Sequence, residues 1–161
     1  MRHATLMLIA VSGLGLPLAI GLTAALALTV PKIDNAATAK ECGACHMVYP
    51  PQLLPQRSWV ALLDKLDNHF GEIASLNQQT HDDIQSYLVS NAADAQGAPA
   101  DSRLLRGLKD GDAPLRITEL PWWIRRHGEV NFTNIKATKV KSPSNCVGCH
   151  AGAANGVYSE E

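Results

Sequence analysis

Apolar and polar positions divide the chain into a long uncharged run and a series of short amphipathic segments. After Met1-Arg2-His3, no charge occurs from Ala4 to Val30, and Pro31-Lys32 closes the run. Its twenty-seven residues exceed the roughly 20 that span a bilayer. Residues 1–30 therefore read as a secretory signal peptide or as an uncleaved N-terminal membrane anchor. In the first reading, Ala25-Leu26-Ala27 and Ala37-Thr38-Ala39 are candidate cleavage sites. In the second, Arg2 keeps the N-terminus in the cytoplasm. Pro17 and the glycines weaken a spanning helix without forbidding it.

Beyond the run, 31–41 reads as a polar linker. A short helix is expected from Cys42 to Val48, stopped by Tyr49-Pro50-Pro51 and Pro55. Ser58 is placed to cap a helix from Trp59 to Phe70, closed by Gly71. Leu62, Leu66 and His69 share one face of it. Thr80 and Asp83 resemble a capping box opening the next helix, with Ile84, Tyr87 and Leu88 as its buried stripe. Residues 90–100 form a loop between lobes. Asp101 caps a short helix ending at Leu108, and 109–114 turns. Thr118 caps a helix through His127 that tolerates Pro121 in its first turn. Leu120, Trp123, Ile124 and His127 share its face. Residues 130–140 read as loop or short strand. A last helix covers Asn145 to His150, and the small-residue tail is expected to fray. No repeat of 20–50 residues appears.

Two pentapeptides change this picture from a fold to a chemistry. Cys42-Gly43-Ala44-Cys45-His46 and Cys146-Val147-Gly148-Cys149-His150 both read C-x-x-C-H, the attachment signature of c-type haem. Two thiols three residues apart can add to the two vinyl groups of one porphyrin. The following histidine then lies under the iron. The alternative is a zinc site built from the two dithiol pairs; the histidine in each motif and the second copy weigh against it. All four cysteines lie in the motifs, so none remains for a structural disulfide.

Each iron then needs a second axial ligand. Met1 and Met7 lie in the leader, and Met47 follows His46 too closely to reach the opposite face. Beyond the leader the histidines are His46, His69, His81, His127 and His150. His69 and His127 fall on apolar helical faces. His81 starts a helix beside Asp82 and Asp83 and reads as a wet surface residue. The expected axial ligands are His46 with His69 and His127 with His150, with crossed pairing between lobes still open. Twenty-three residues separate the partners in each pair, in mirrored order.

Composition adds bounds. The chain has 161 residues, net charge −1 and 5% aromatics. About 120–130 residues beyond the leader make one domain or two small lobes with a thin core. Two haem plates would fill it out. No basic stripe argues for nucleic acid. Arg125, Arg126, Lys136, Lys139 and Lys141 do cluster around His127 and Cys146, reading as a docking rim or as an ordinary solvated loop. The expected fold is mainly α: two small helical lobes, 31–95 and 96–161, packed around two covalent c-type haems.

The chain resembles the small dihaem cytochromes c of the DHC family. The likeness rests on Glu41 to Met47, Tyr49-Pro50-Pro51, Leu54-Pro55 and Arg57-Ser58-Trp59. It continues through His69-Phe70-Gly71-Glu72, Ala74-Ser75-Leu76, Ile117 to Trp122, His127 and Val140 to Cys146, covering nearly all of the chain after the leader. The resemblance implies two bis-histidine haems. It also implies electron delivery to an oxygen-binding monohaem cytochrome c of the sphaeroides haem protein kind, often alongside a membrane cytochrome b. His81 is not part of that pattern. The expectation is an exported, periplasmic electron carrier rather than an enzyme, soluble after cleavage or anchored by residues 4–30. The rivals are a peroxidase-like dihaem enzyme with one open haem, for which the chain is short, and a haem-based gas sensor, for which it has no signalling domain.

Overall fold

The computed structural model describes residues 27–97, 102–128, 130 and 140–159. Among these, the chain is mainly helical: four α-helices, several single 3-10 turns and one two-stranded sheet. Strand β1 is Leu28–Thr29, followed by helices α1 (Ala36–Cys42), α2 (Gln56–Leu63), α3 (Gln78–Ser90) and α4 (Pro121–His127), and by strand β2 (Val157–Tyr158). No helix among the described residues is long and apolar enough to cross a membrane. The uncharged run up to residue 26 lies outside them, as does Asp101.

The core forms where α2 crosses α3. Trp59 and Leu63 stand one turn apart on α2, and Ile84 and Leu88 one turn apart on α3, so each helix offers one stripe. Leu54, Ala92 and Leu120 complete the cluster. The Trp59 indole is buried but not orphaned, since its N–H donates to the Pro51 carbonyl at 2.8 Å.

Several boundaries depart from the sequence reading. Helix α2 starts two residues before Ser58, with Pro55 in the capping position. The Gln56 N–H donates to Asp94 Oδ1 at 2.7 Å, a cap delivered from across the fold. Helix α3 likewise starts early, because Asn77 accepts from the Thr80 N–H at 3.0 Å. The supposed linker contains α1, whose Asn35 side chain accepts from the Thr38 N–H at 2.7 Å. The first pentapeptide therefore begins at a helix end rather than filling a helix.

The tail is pinned rather than frayed. Strand β2 pairs antiparallel with β1, Leu28 opposite Tyr158 and Thr29 opposite Val157. The Val30 N–H donates to the Gly156 carbonyl at 2.9 Å, and Val30 is buried. Gly156 holds φ 78°, and a Cβ there would overlap the Val30 carbonyl oxygen. Only glycine permits both the left-handed turn and this close approach.

Candidate functional site

Cys42 ends α1, and Gly43 to Cys45 turn the chain so that His46 follows at once. The second pentapeptide is a 3-10 turn over Cys146–Gly148 rather than a helix, held by the His150 N–H donating to the Cys146 carbonyl at 2.7 Å. None of the four cysteines is in a disulfide. Burial, with the Glu41 charge beside it, pushes the Cys42 thiol up. Burial does the same to Cys146.

His69 is not on a helix. Helix α2 ends at Leu63, a 3-10 turn covers Leu66–Asn68, and His69 opens a tight two-residue loop. The His69 N–H donates to the Glu72 carbonyl at 2.7 Å, and the Glu72 N–H returns to the His69 carbonyl at 3.2 Å. Phe70 and Gly71 between them hold φ 56° and 103°. Two consecutive positive φ angles are what such a loop demands, and they end any helical phase. Phe70 is an uncommon residue in that region, and its ring braces His69 at 4.8 Å with Arg116 over its face at 3.8 Å. Burial first, then the neighbouring His46 and the Arg116 charge, push the His69 imidazole below its ordinary value.

His127 is the last residue of α4, and there the helical phase does hold. Its Nδ1 faces the Trp123 carbonyl at 2.9 Å, and its ring stacks on Trp123 at 4.2 Å. Burial pushes it down, against the pull of the Trp123 carbonyl. Ile124, expected on the same buried face, is instead 53% exposed.

The structure brings the four histidines together as two pairs. The His46 and His69 rings stand 6.3 Å apart at 23° between planes. The His127 and His150 rings stand 6.1 Å apart and perpendicular. A metal–imidazole bond of about 2.0–2.1 Å, plus the reach to each ring centre, sets two opposed ligands about 6 Å apart. Each pair therefore has the spacing to bracket one iron. Three of the four rings are oriented through Nδ1: His46 on the Met47 carbonyl at 2.6 Å, His127 on Trp123, and His150 on the Ser159 carbonyl at 2.6 Å. An Nδ1–H donated to a carbonyl leaves the Nε2 lone pair for a metal.

His81 sits in the first turn of α3, its Nδ1 3.3 Å from Asp82 Oδ1. Its side chain is 23% exposed, less open than its place at a helix start implies. No group of three or more His, Cys, Asp or Glu gathers for a metal among the described residues, so the four thiols do not converge on a zinc site.

Sequence reasoning missed the ring braces. Tyr49 lies 5.1 Å from His46 and Tyr158 5.9 Å from His150. The Phe70 and Trp123 braces lie one and four residues from their histidines, a signal the spacing did contain. Tyr158 could be found only with the tail folded back.

The family model for dihaem cytochrome c matches residues 38–158, three quarters of the chain and both pentapeptides. The chain belongs to the dihaem cytochrome c family. As a member, it carries two haem c groups and is a haem-based electron-transfer protein. It is similar to the solved dihaem cytochrome c from Rhodobacter sphaeroides, at 50% identity over 80% of this chain and 99% of that one, with a TM-score of 0.71. A second structure, of DHC purified from Rhodobacter sphaeroides, is 45% identical over 79% and 99%, with a TM-score of 0.65. The dihaem type c cytochrome of Shewanella baltica OS155 is 37% identical over 78% and 87%, with a TM-score of 0.62. No curated protein matches the chain.

Proposed function

We propose that this dihaem cytochrome is a six-coordinate electron carrier with no substrate chemistry of its own. Cys42 and Cys45 attach one haem, with His46 and His69 as axial ligands; Cys146 and Cys149 attach the other, with His127 and His150. The observation that carries this reading is the pair of ring separations, 6.3 and 6.1 Å. When bound, each haem supplies one-electron ferric/ferrous chemistry. The residues do the rest. The carbonyls of Met47, Trp123 and Ser159 hold tautomers, and burial shifts His69 and His127 toward the neutral form, the one that can ligate. A second histidine on each iron excludes a substrate from the coordination sphere. This favours a carrier over the peroxidase-like and gas-sensing alternatives, both of which need an open position.

Carbon monoxide tests it directly. The fully reduced wild-type protein should show no carbon monoxide spectrum at either site; binding at one of them would return the open-haem enzyme or sensor. Ferric electron paramagnetic resonance adds a check on pairing. Near-parallel imidazoles split the iron d orbitals they overlap, whereas perpendicular ones leave them nearly degenerate. One rhombic and one large-g low-spin signal are expected.

The carrier is proposed to act in the periplasm after export. Its acceptor is an oxygen-binding monohaem cytochrome c, its donor is a membrane or soluble protein, and a membrane cytochrome b is a further partner, a reading supported by the family likeness alone. Arg125, Arg126 and Lys141 are exposed near the second site, while Lys136 and Lys139 lie outside the described residues. Arg125 also donates to the Arg106 carbonyl at 2.8 Å, which ties it to the fold. If this rim docks the acceptor, the association rate falls as ionic strength rises. A rate flat in salt, or unchanged when Lys139 and Lys141 become Gln, rejects docking there.

A further inference from the structure

The Ser144 carbonyl, two residues before Cys146, gathers three groups. The Cys146 N–H donates to it at 3.0 Å, and the Cys146 Sγ lies at 3.5 Å. The third is the Tyr49 hydroxyl, which donates at 2.8 Å from ninety-five residues away. A thioether sulfur has no hydrogen to give, so haem attachment removes the second contact and leaves the other two. The Tyr49 ring itself stands 5.1 Å from the His46 ring. One side chain thus bridges the two attachment regions, with its ring on the first motif and its hydroxyl on the carbonyl two residues before the second.

Tyr158 lies on the same seam and makes the contrast. Its ring approaches His150, but its hydroxyl oxygen is buried without a hydrogen-bond partner among the described residues. Burial pushes the Tyr49 phenol up to about 12, so it remains a donor throughout the physiological range. The β1–β2 pair also joins distant parts of the chain, but it reaches the tail beyond the second motif and not the motif itself.

We propose that Tyr49 is a positioning residue that locks the two haem-attachment motifs to each other, so that the two sites open and respond as one unit. The proposal rests on one haem being attached at each motif, as proposed above. Electron exchange between two centres falls steeply with their separation. A hydrogen bond that fixes one motif against the other therefore acts on that exchange without touching either iron. Tyr49 is neither oxidised nor deprotonated in this role. Coupling of this kind is reciprocal: loosening either motif loosens the other.

Hydrogen exchange on the wild-type holoprotein is the first test. The Gly43 amide in the first motif and the Gly148 and His150 amides in the second should open together as denaturant is raised, as members of one cooperative unit. Independent opening overturns the lock. Tyr49→Phe keeps the ring against His46 and removes only the donor. It should speed exchange at Cys146 and Gly148 by about tenfold, the scale of one ordinary net hydrogen bond. It should also slow electron redistribution between the sites after flash reduction. Tyr158→Phe removes a hydroxyl that has no partner and should change neither. Unchanged exchange and redistribution in Tyr49→Phe, or equal changes in Tyr158→Phe, overturn the proposal. Haem content by mass keeps the two readings apart. Two retained haems with uncoupled motifs leave attachment intact and isolate the lock, whereas a haem lost from Tyr49→Phe moves the residue's role to attachment and also overturns it.

Discussion

His69→Ala should open the first haem site to carbon monoxide, His127→Ala the second, and His81→Ala neither. Each of the first two variants is expected to go from no binding to one carbon monoxide per reduced protein, with high-spin or weakly ligated iron at the altered site. The reason is local geometry. Among the described residues, the ring opposite His46 is His69, and the ring opposite His150 is His127. No other histidine among the described residues is paired with either. Met47 directly follows His46, too close to reach the opposite face of the same haem, and His81 is paired with Asp82 on α3. Attachment should survive in all three variants, because the thioethers do not depend on the distal ligand. The difference between the sites is also instructive. His127 sits on a helix and leans on Trp123, so alanine costs α4 little. His69 occupies a loop whose pairing is made by backbone groups, so alanine there should also preserve the chain path. A carbon monoxide complex in His81→Ala, with none in His69→Ala or His127→Ala, would overturn the ligand assignment while leaving two haems in place.

The motifs and the helical class were legible because both are written locally. C-x-x-C-H is a contiguous signal, and the α2 and α3 stripes repeat with the helical period. What was not legible came from distant parts of the chain. The cap of α2 is Asp94, thirty-eight residues from Gln56. Strand β2 exists because Val30 and Gly156 meet, and no local preference of Val157–Tyr158 declares that pairing. His69 is the most instructive case. Helical phase with Leu62 and Leu66 selected it, yet the helix ends six residues before it. The ring reaches His46 through the Phe70–Gly71 loop. A phenylalanine at positive φ is not something periodicity can foresee, because tertiary contacts pay for that strain. Pairing within each half rather than across halves was likewise open in the sequence, and the ring distances are what bear on it.

Replacing both Cys146 and Cys149 by Ser should cost far more order than replacing both Cys42 and Cys45, although each double variant loses one haem. The asymmetry follows from where the apolar core lies. Of the seven residues in the main cluster, six come from Leu54 to Ala92, and only Leu120 comes from beyond. Between 140 and 159, the sole buried hydrophobic residue among those described is Ala153. That stretch is built from 3-10 turns and one two-residue strand. Ordering twenty residues costs roughly 20–40 kcal/mol of backbone freedom. One buried alanine and two strand residues cannot offset that, so the haem plate must supply most of the apolar contact there. The first motif, in contrast, follows α1, which packs on α3 beside the main cluster. Mass spectrometry should find one haem in each double variant. In the Cys146/Cys149 variant, amides from 140 to 159 should lose protection and become accessible to protease, and β1 should be released with β2. The loss should be about 3–5 kcal/mol, the scale of deleting a large core side chain, which lowers Tm by roughly 10 °C or more. In the Cys42/Cys45 variant, the α2–α3 core should keep its protection. Equal protection of 140–159 in the two variants would mean that the tail is held by something other than its haem.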